Sequence, residues 1–162
     1  MMTLEQWCDA APVDRAAHGP GPATPMRPVV LIVDDEVLVR LAAVDGFADA
    51  GFAVLEAANG DEALAVLEEN RTVDALFTDV NMPGSIDGFA LARAAVERWP
   101  TLAVAVSSGR MARSGDLPRD TAFISKPYCP DAAASIVRRL IDARRSPADI
   151  RPAIRLNGAL PR

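Results

Sequence analysis

Apolar positions come in short unbroken blocks along this chain, separated by longer stretches in which they recur near helical period. The first block, Val29-Val30-Leu31-Ile32-Val33, is mostly β-branched and ends in three carboxylates, Asp34-Asp35-Glu36. Four more follow: Phe52 to Ala57, Asp74 to Thr78, Leu102 to Val106 and Ala122 to Ser125. Runs this short and this apolar read as strands covered on both faces, as in parallel sheets. The stretches between them predict helices from Val37 to Ala50, from Asn59-Gly60-Asp61-Glu62 to Asn70-Arg71, from Phe89 to Trp99, and from Pro130 to Arg145.

In the first helix the expected buried stripe is Leu38, Leu41, Ala42, Val44 and Phe47-Ala48, with Gly51 ending the helix. In the second, Ala63, Leu64, Val66 and Leu67 point inward and Asn59 serves as N-cap. The last has Pro130 in its first turn, with Ala133, Ile136, Val137, Leu140 and Ile141 inward. Residues 109–121, broken by Gly115 and Pro118, are expected to hold a short helix or none. Strand and helix alternating in this way predict an α/β fold, a parallel sheet with helices on both faces and right-handed crossovers. The domain is expected over residues 28–145. Residues 1–27, with the linker composition His18-Gly19-Pro20-Gly21-Pro22, are expected to be a disordered or extended arm, and residues 146–162 an irregular tail.

Candidate chemistry lies where the strands end, which is where open α/β sheets bind ligands. The first strand ends at Asp34 and Asp35, the third at Asp79, the fourth at Ser107-Ser108-Gly109 and the fifth at Lys126-Pro127. Side by side, these strands bring three carboxylates, a hydroxyl and an ammonium to one edge. Clustered carboxylates repel one another. Mg²⁺, which prefers carboxylate, carbonyl and water oxygens, would relieve that repulsion. The edge reads as a Mg²⁺-dependent phosphoryl-accepting site. Lys126 is the only lysine in a chain whose other basic side chains are arginine. A compact ammonium differs from a planar guanidinium, and its place at a strand end points to function.

Composition narrows the classes. The length of 162 residues suits one domain, and a hydrophobic content of 50% permits a sizeable core. A net charge of −5 argues against general nucleic-acid binding. No apolar run approaches the roughly 20 residues of a membrane span. Cys8 and Cys129 have no metal-ligand spacing, so a reducing cytoplasm is expected. His18 has no second ligand near it.

Asp34-Asp35, Asp79, Met82-Pro83-Gly84 with Asp87-Gly88, Ser108-Gly109 and Lys126-Pro127 occur in this order, nearly all of them at or just beyond strand ends. In this the chain resembles, over residues 28–144, the receiver domain of two-component response regulators. The resemblance implies a flavodoxin-like sheet of strand order 2-1-3-4-5, here with the fourth helix short or reduced. It implies that Asp79 is the phosphoacceptor and that Mg²⁺ is held by Asp35 and Asp79 directly, by Asp34 through water and by the backbone carbonyl of Asn81. Lys126 and Ser108 would contact the phosphoryl group, Ser108 being favoured over Ser107 because Gly109 follows it. The Lys126-Pro127 bond would be cis, and Phe123 takes the aromatic switch position. Asn81 and Arg110 would flank the path of the water that hydrolyses the acyl phosphate. The loop between Pro83 and Asp87 is one residue longer than the common form.

The implied protein is a stand-alone phosphoacceptor switch with autocatalysed phosphorylation and dephosphorylation, not an enzyme. Its donor is a histidine kinase or a histidine phosphotransfer protein. Its output is through an unidentified protein partner, without direct DNA binding and without a membrane. Arg138, Arg139, Arg144 and Arg145 are either part of that output surface or a solvated basic face. Two alternatives stand beside this. One is a phosphate sink without an output partner. The other is a Mg²⁺ phosphohydrolase of the haloacid-dehalogenase type, which needs a second Asp two residues after its nucleophile, where this chain has Asn81.

Overall fold

The computed structural model describes residues 27–109, 117–118 and 120–145. Its strands are β1 (Val29–Val33), β2 (Ala53–Ala57), β3 (Ala75–Asp79), β4 (Ala103–Ser108) and β5 (Thr121–Ser125). Its helices are α1 (Val37–Asp49), α2 (Gly60–Glu69), α3 (Gly88–Arg98) and α4 (Pro130–Arg145). The strands form one parallel sheet of order β2-β1-β3-β4-β5. The expected α/β architecture and strand order are both present. The chain leaves β1 toward β2 on one side and returns to β3 on the other. The switch point, where ligands bind in such sheets, therefore lies between β1 and β3. Val33 pairs with Thr78 there, so Asp34 and Asp79 follow on adjacent strands.

Both faces of the sheet are covered, which is why the strand sequences lack clean alternation. Val30, Ile32, Ala75, Phe77, Ala103, Ala105 and Ile124 face α1 and α4, meeting Phe47, Val137 and Ile141. Leu31, Val33, Leu76, Val104 and Val106 face α2 and α3, meeting Leu67 and Leu91. Asn59 caps α2 as expected, accepting from the Glu62 amide at 2.9 Å. Gly51, at φ +87°, terminates α1. The Phe52 amide closes back on the Phe47 carbonyl at 3.1 Å, and the two rings meet at 5.4 Å.

The first helix corrects the expected stripe. Its buried residues are Ala43 and Phe47, whereas Leu38 is 82% exposed and Val37 and Leu41 are also exposed. Apolar side chains surround this helix, so its period defines no single inward face. Tertiary packing against α4 and the sheet chose the side. The fourth strand also runs past Val106, because Ser107 and Ser108 pair with Ile124 and Ser125 of β5.

The arginines of α4 are mostly structural ties. Arg138 stacks over Phe52 at 4.4 Å and donates to the Ala50 carbonyl at 2.8 Å. Arg144 donates to the carbonyls of Pro100 and Asp120, and Arg145 pairs with Asp74 at 2.6 Å. Arg139 is exposed. A free four-arginine surface is therefore not present. The expectations for the arm, the tail, Arg110 and the helix between β4 and β5 fall outside the described residues.

Candidate functional site

Strand parity builds the site. Asp79 follows Ala75 and Phe77 on the face toward α1 and α4, and the same parity, carried just past the strand ends, puts Asp34 and Lys126 on that side. All three meet. Lys126 Nζ lies 2.7 Å from Asp79 Oδ1 and 3.0 Å from Asp34 Oδ2. Both carboxylates are buried, 5% and 4% exposed. Their other oxygens accept backbone amides: Asp79 Oδ2 from Asn81 at 2.7 Å and Asp34 Oδ1 from Glu36 at 2.9 Å. The Lys126 amide donates to the Ser108 carbonyl at 2.8 Å, and the Lys126-Pro127 peptide is cis, as expected.

Burial alone would lower the pKa of Lys126. Hydrogen bonds and charges from Asp79 and Asp34 outweigh it, so the ammonium titrates above the ordinary lysine value. One ammonium against the carboxylates of Asp34, Asp35 and Asp79 leaves the edge with net negative charge. Asp35, the next residue along the chain after Asp34, is half-buried.

Ser107 and Ser108 point to opposite faces. The Ser107 hydroxyl lies 3.5 Å from the Thr78 carbonyl and engages the phenol of Tyr128. Ser108 is buried, and its hydroxyl accepts from Asn81 Nδ2 at 3.4 Å. Ser108 is thus the serine on the side of the Asn81 loop. Phe123 lies half-buried on that same face, two pairs below Ser108 along β4 and β5.

The loop from Val80 to Asp87 is held at both ends. Its exposed Ser85 hydroxyl donates to the Asp61 carboxylate at 2.7 Å. Asp87 caps α3, accepting from Ala90 at 2.7 Å. Gly88 has no room for a side chain, because a Cβ there would overlap the Asp79 carbonyl. The buried Met82, the cap at Asp87 and the close approach at Gly88 therefore fix the loop that carries Asn81.

Among the described residues, no three acidic, histidine or cysteine side chains are gathered closely enough to enclose a metal ion. The donor chemistry nevertheless suits a hard divalent cation. It is all oxygen and carries net negative charge.

Three features were missed from sequence. Arg40 reaches back to the acidic turn, its Nη1 donating to the Asp34 carbonyl at 2.6 Å. No spacing signals that contact. Tyr128 packs edge-on against Phe77 at 5.4 Å beside the ion pair. It is the only tyrosine and stands two residues after the only lysine, which was a usable signal. The third is an apolar groove of about 620 Å³ lined by Leu38, Val39, Ala42, Lys126, Tyr128 and Pro130.

A family model described as the response regulator receiver domain matches residues 30–137. The chain is 34% identical over 135 residues to sensor kinase CckA of Brucella abortus, a match covering 80% of this chain and 14% of that protein. It is 32% identical over 123 residues to the DNA-binding transcriptional regulator NtrC of Salmonella typhimurium, covering 71% of this chain and 25% of that one. The chain thus spans a quarter or less of these relatives. Among solved structures, a response regulator receiver protein from Sinorhizobium medicae aligns at TM-score 0.69 and 27% identity, over 74% of this chain and 98% of that one. The receiver domain of hybrid histidine kinase CckA aligns at 0.60 and 37% identity, over 70% and 98%.

Proposed function

The chain belongs to the response regulator receiver domain family of two-component systems, whose members are phosphoacceptor switches, and on that premise we propose that Asp79 accepts a phosphoryl group from a phosphohistidine. The observation that carries this is the single ammonium of Lys126 bridging Asp79 and Asp34 at the switch point of the sheet. The nucleophile is a carboxylate oxygen of Asp79. It attacks phosphorus, the P–N bond to the donor imidazole breaks, and the imidazole leaves with the electron pair and takes up a proton. Such transfer depends on positioning and on neutralising spread charge. Lys126 keeps its charge throughout and moves its hydrogen bond from Asp79 to a phosphoryl oxygen. The Ser108 hydroxyl and the Asn81 amide serve the others. Asp34, Asp35, Asp79 and the Asn81 carbonyl would hold Mg²⁺, which supplies further charge neutralisation when bound.

The new group adds about −1.5 to −2 charge at this edge. Ser108 moves toward it, and Phe123, on the same face, turns into the space released. The surface at the ends of β4 and β5 changes shape, and a protein partner reads it. Phosphotransfer also needs a donor seated over Asp79. Val37, Leu38 and Leu41 present an exposed apolar face one helical turn from the acids, beside the groove that ends at Lys126. That face suits the apolar side of a helical donor, a histidine kinase or phosphotransfer protein.

Acetyl phosphate with Mg²⁺ tests the reaction. The wild-type chain gains one acid-stable, base-labile phosphoryl group, and Asp79→Asn or chelation of Mg²⁺ removes it. Labelling that survives Asp79→Asn, or a wild-type chain that stays unlabelled, overturns the assignment.

A further inference from the structure

We infer that Arg40 is a positioning residue for the divalent metal, acting through the backbone of Asp34. The inference rests on the proposed function above. Arg40 sits one turn into α1 with its side chain only 13% exposed. Its fork points two ways: Nη1 to the Asp34 carbonyl at 2.6 Å, and Nε to Glu56 Oε2 at 3.1 Å. Glu56 lies on β2, opposite Ile32 of β1. The guanidinium thereby ties the turn after β1 to the neighbouring strand.

Within that turn the Asp34 carboxylate accepts the Glu36 amide at 2.9 Å, but few bonds tie its backbone to the rest of the fold. The N-cap of α1, Glu36, makes no side-chain cap bond. The Asp34 amide reaches the Ala57 carbonyl only at 3.4 Å. The short bond from Arg40 is the strong one. A peptide unit is planar, so holding the Asp34 carbonyl also sets the Asp35 amide and the position of the Asp35 Cα, from which its side chain departs. Asp34 and Asp35 are the acids that, with Asp79, would hold the cation. The Arg40 charge is itself paired with Glu56, so its net field at the edge is small. Its contribution is geometric. A lysine could make one of the two contacts, not both.

Titration calorimetry of the unphosphorylated full chain with Mg²⁺ tests this without any phosphoryl transfer. Arg40→Ala is expected to weaken Mg²⁺ binding about ten-fold, the low end for groups that orient metal ligands. Arg40→Lys should recover part of that loss, and Glu56→Gln should change affinity by less than about three-fold. Leu67→Ala, in the core between α2 and the sheet, lowers stability at a distance and should leave affinity unchanged. Mg²⁺ binding by Arg40→Ala equal to wild type overturns the inference, as does an equal loss in Leu67→Ala. If wild type binds Mg²⁺ and is labelled on Asp79 while Arg40→Ala binds as well, only this inference falls. A wild type that binds no Mg²⁺ overturns it together with the metal assignment.

Discussion

Lys126 Nζ stands 2.7 Å from Asp79 Oδ1, and the same ammonium reaches Asp34 at 3.0 Å across 92 residues of chain. It holds together two buried acids from separate strands that would otherwise repel. Removing it, as in Lys126→Met, leaves both without a counter-charge. Partial exposure of the lysine softens the penalty, so the expected loss is about 2 kcal/mol in urea unfolding without Mg²⁺. Labelling by acetyl phosphate should fall about 100-fold, as for loss of one donor to a charged transition state.

Alkaline pH should loosen the fold through two neighbouring groups. Lys126 titrates above 10.5 because Asp79 and Asp34 outweigh its burial. Tyr128 titrates above 10.0, chiefly because burial disfavours the phenolate; the carboxylates of Asp34 and Asp79 add to this, while Lys126 and Ser107 oppose it. Both folded values lie above the unfolded ones. Their stabilisation is therefore complete below the ordinary values and is lost as pH rises through the folded ones. Tyr128 is the only tyrosine, so an ultraviolet phenolate titration reads it alone and should show a midpoint above 10.0.

Gly88→Ala should be more harmful than its size suggests. The added methyl overlaps the Asp79 carbonyl, and backbone must move on one side or the other. A loss of about 1–3 kcal/mol is expected, with slower labelling because Asp79 is displaced. Thermal unfolding and acetyl phosphate labelling measure the two effects.

Leu38→Glu separates donor docking from chemistry. Leu38 is 82% exposed, so stability should change by no more than about 0.5 kcal/mol. Labelling by acetyl phosphate should be unaffected. Phosphotransfer from a phosphorylated histidine donor protein should slow about ten-fold, the effect of losing about 1.4 kcal/mol of apolar contact.

Arg138→Ala should do the reverse. It removes the stacking on Phe52 and the bond to the Ala50 carbonyl at the end of α1. The expected cost is about 1.5 kcal/mol in denaturant unfolding, with labelling unchanged.

The sequence by itself determined the strands, because five short apolar blocks admit little else, and it placed Asp34, Asp79 and Lys126 at their ends. Local chemistry also settled the cap at Asn59 and the stop at Gly51. Strand order is beyond short-range pattern, and it entered through the family resemblance. The inward face of α1 was not legible, since a helix apolar all round buries whichever side its neighbours offer. Packing against α4 and the sheet left Leu38 and Leu41 outside. The arginines of α4 could not be told from a solvated face until Phe52, Pro100 and Asp74 were found beside them. The bond from Arg40 to the Asp34 carbonyl joins a side chain to backbone, and no residue type at Asp34 encodes a carbonyl's direction. Chemistry carried by residue identity can be read along the chain, whereas contacts made to backbone or chosen by competing faces exist only once the sheet and helices have closed.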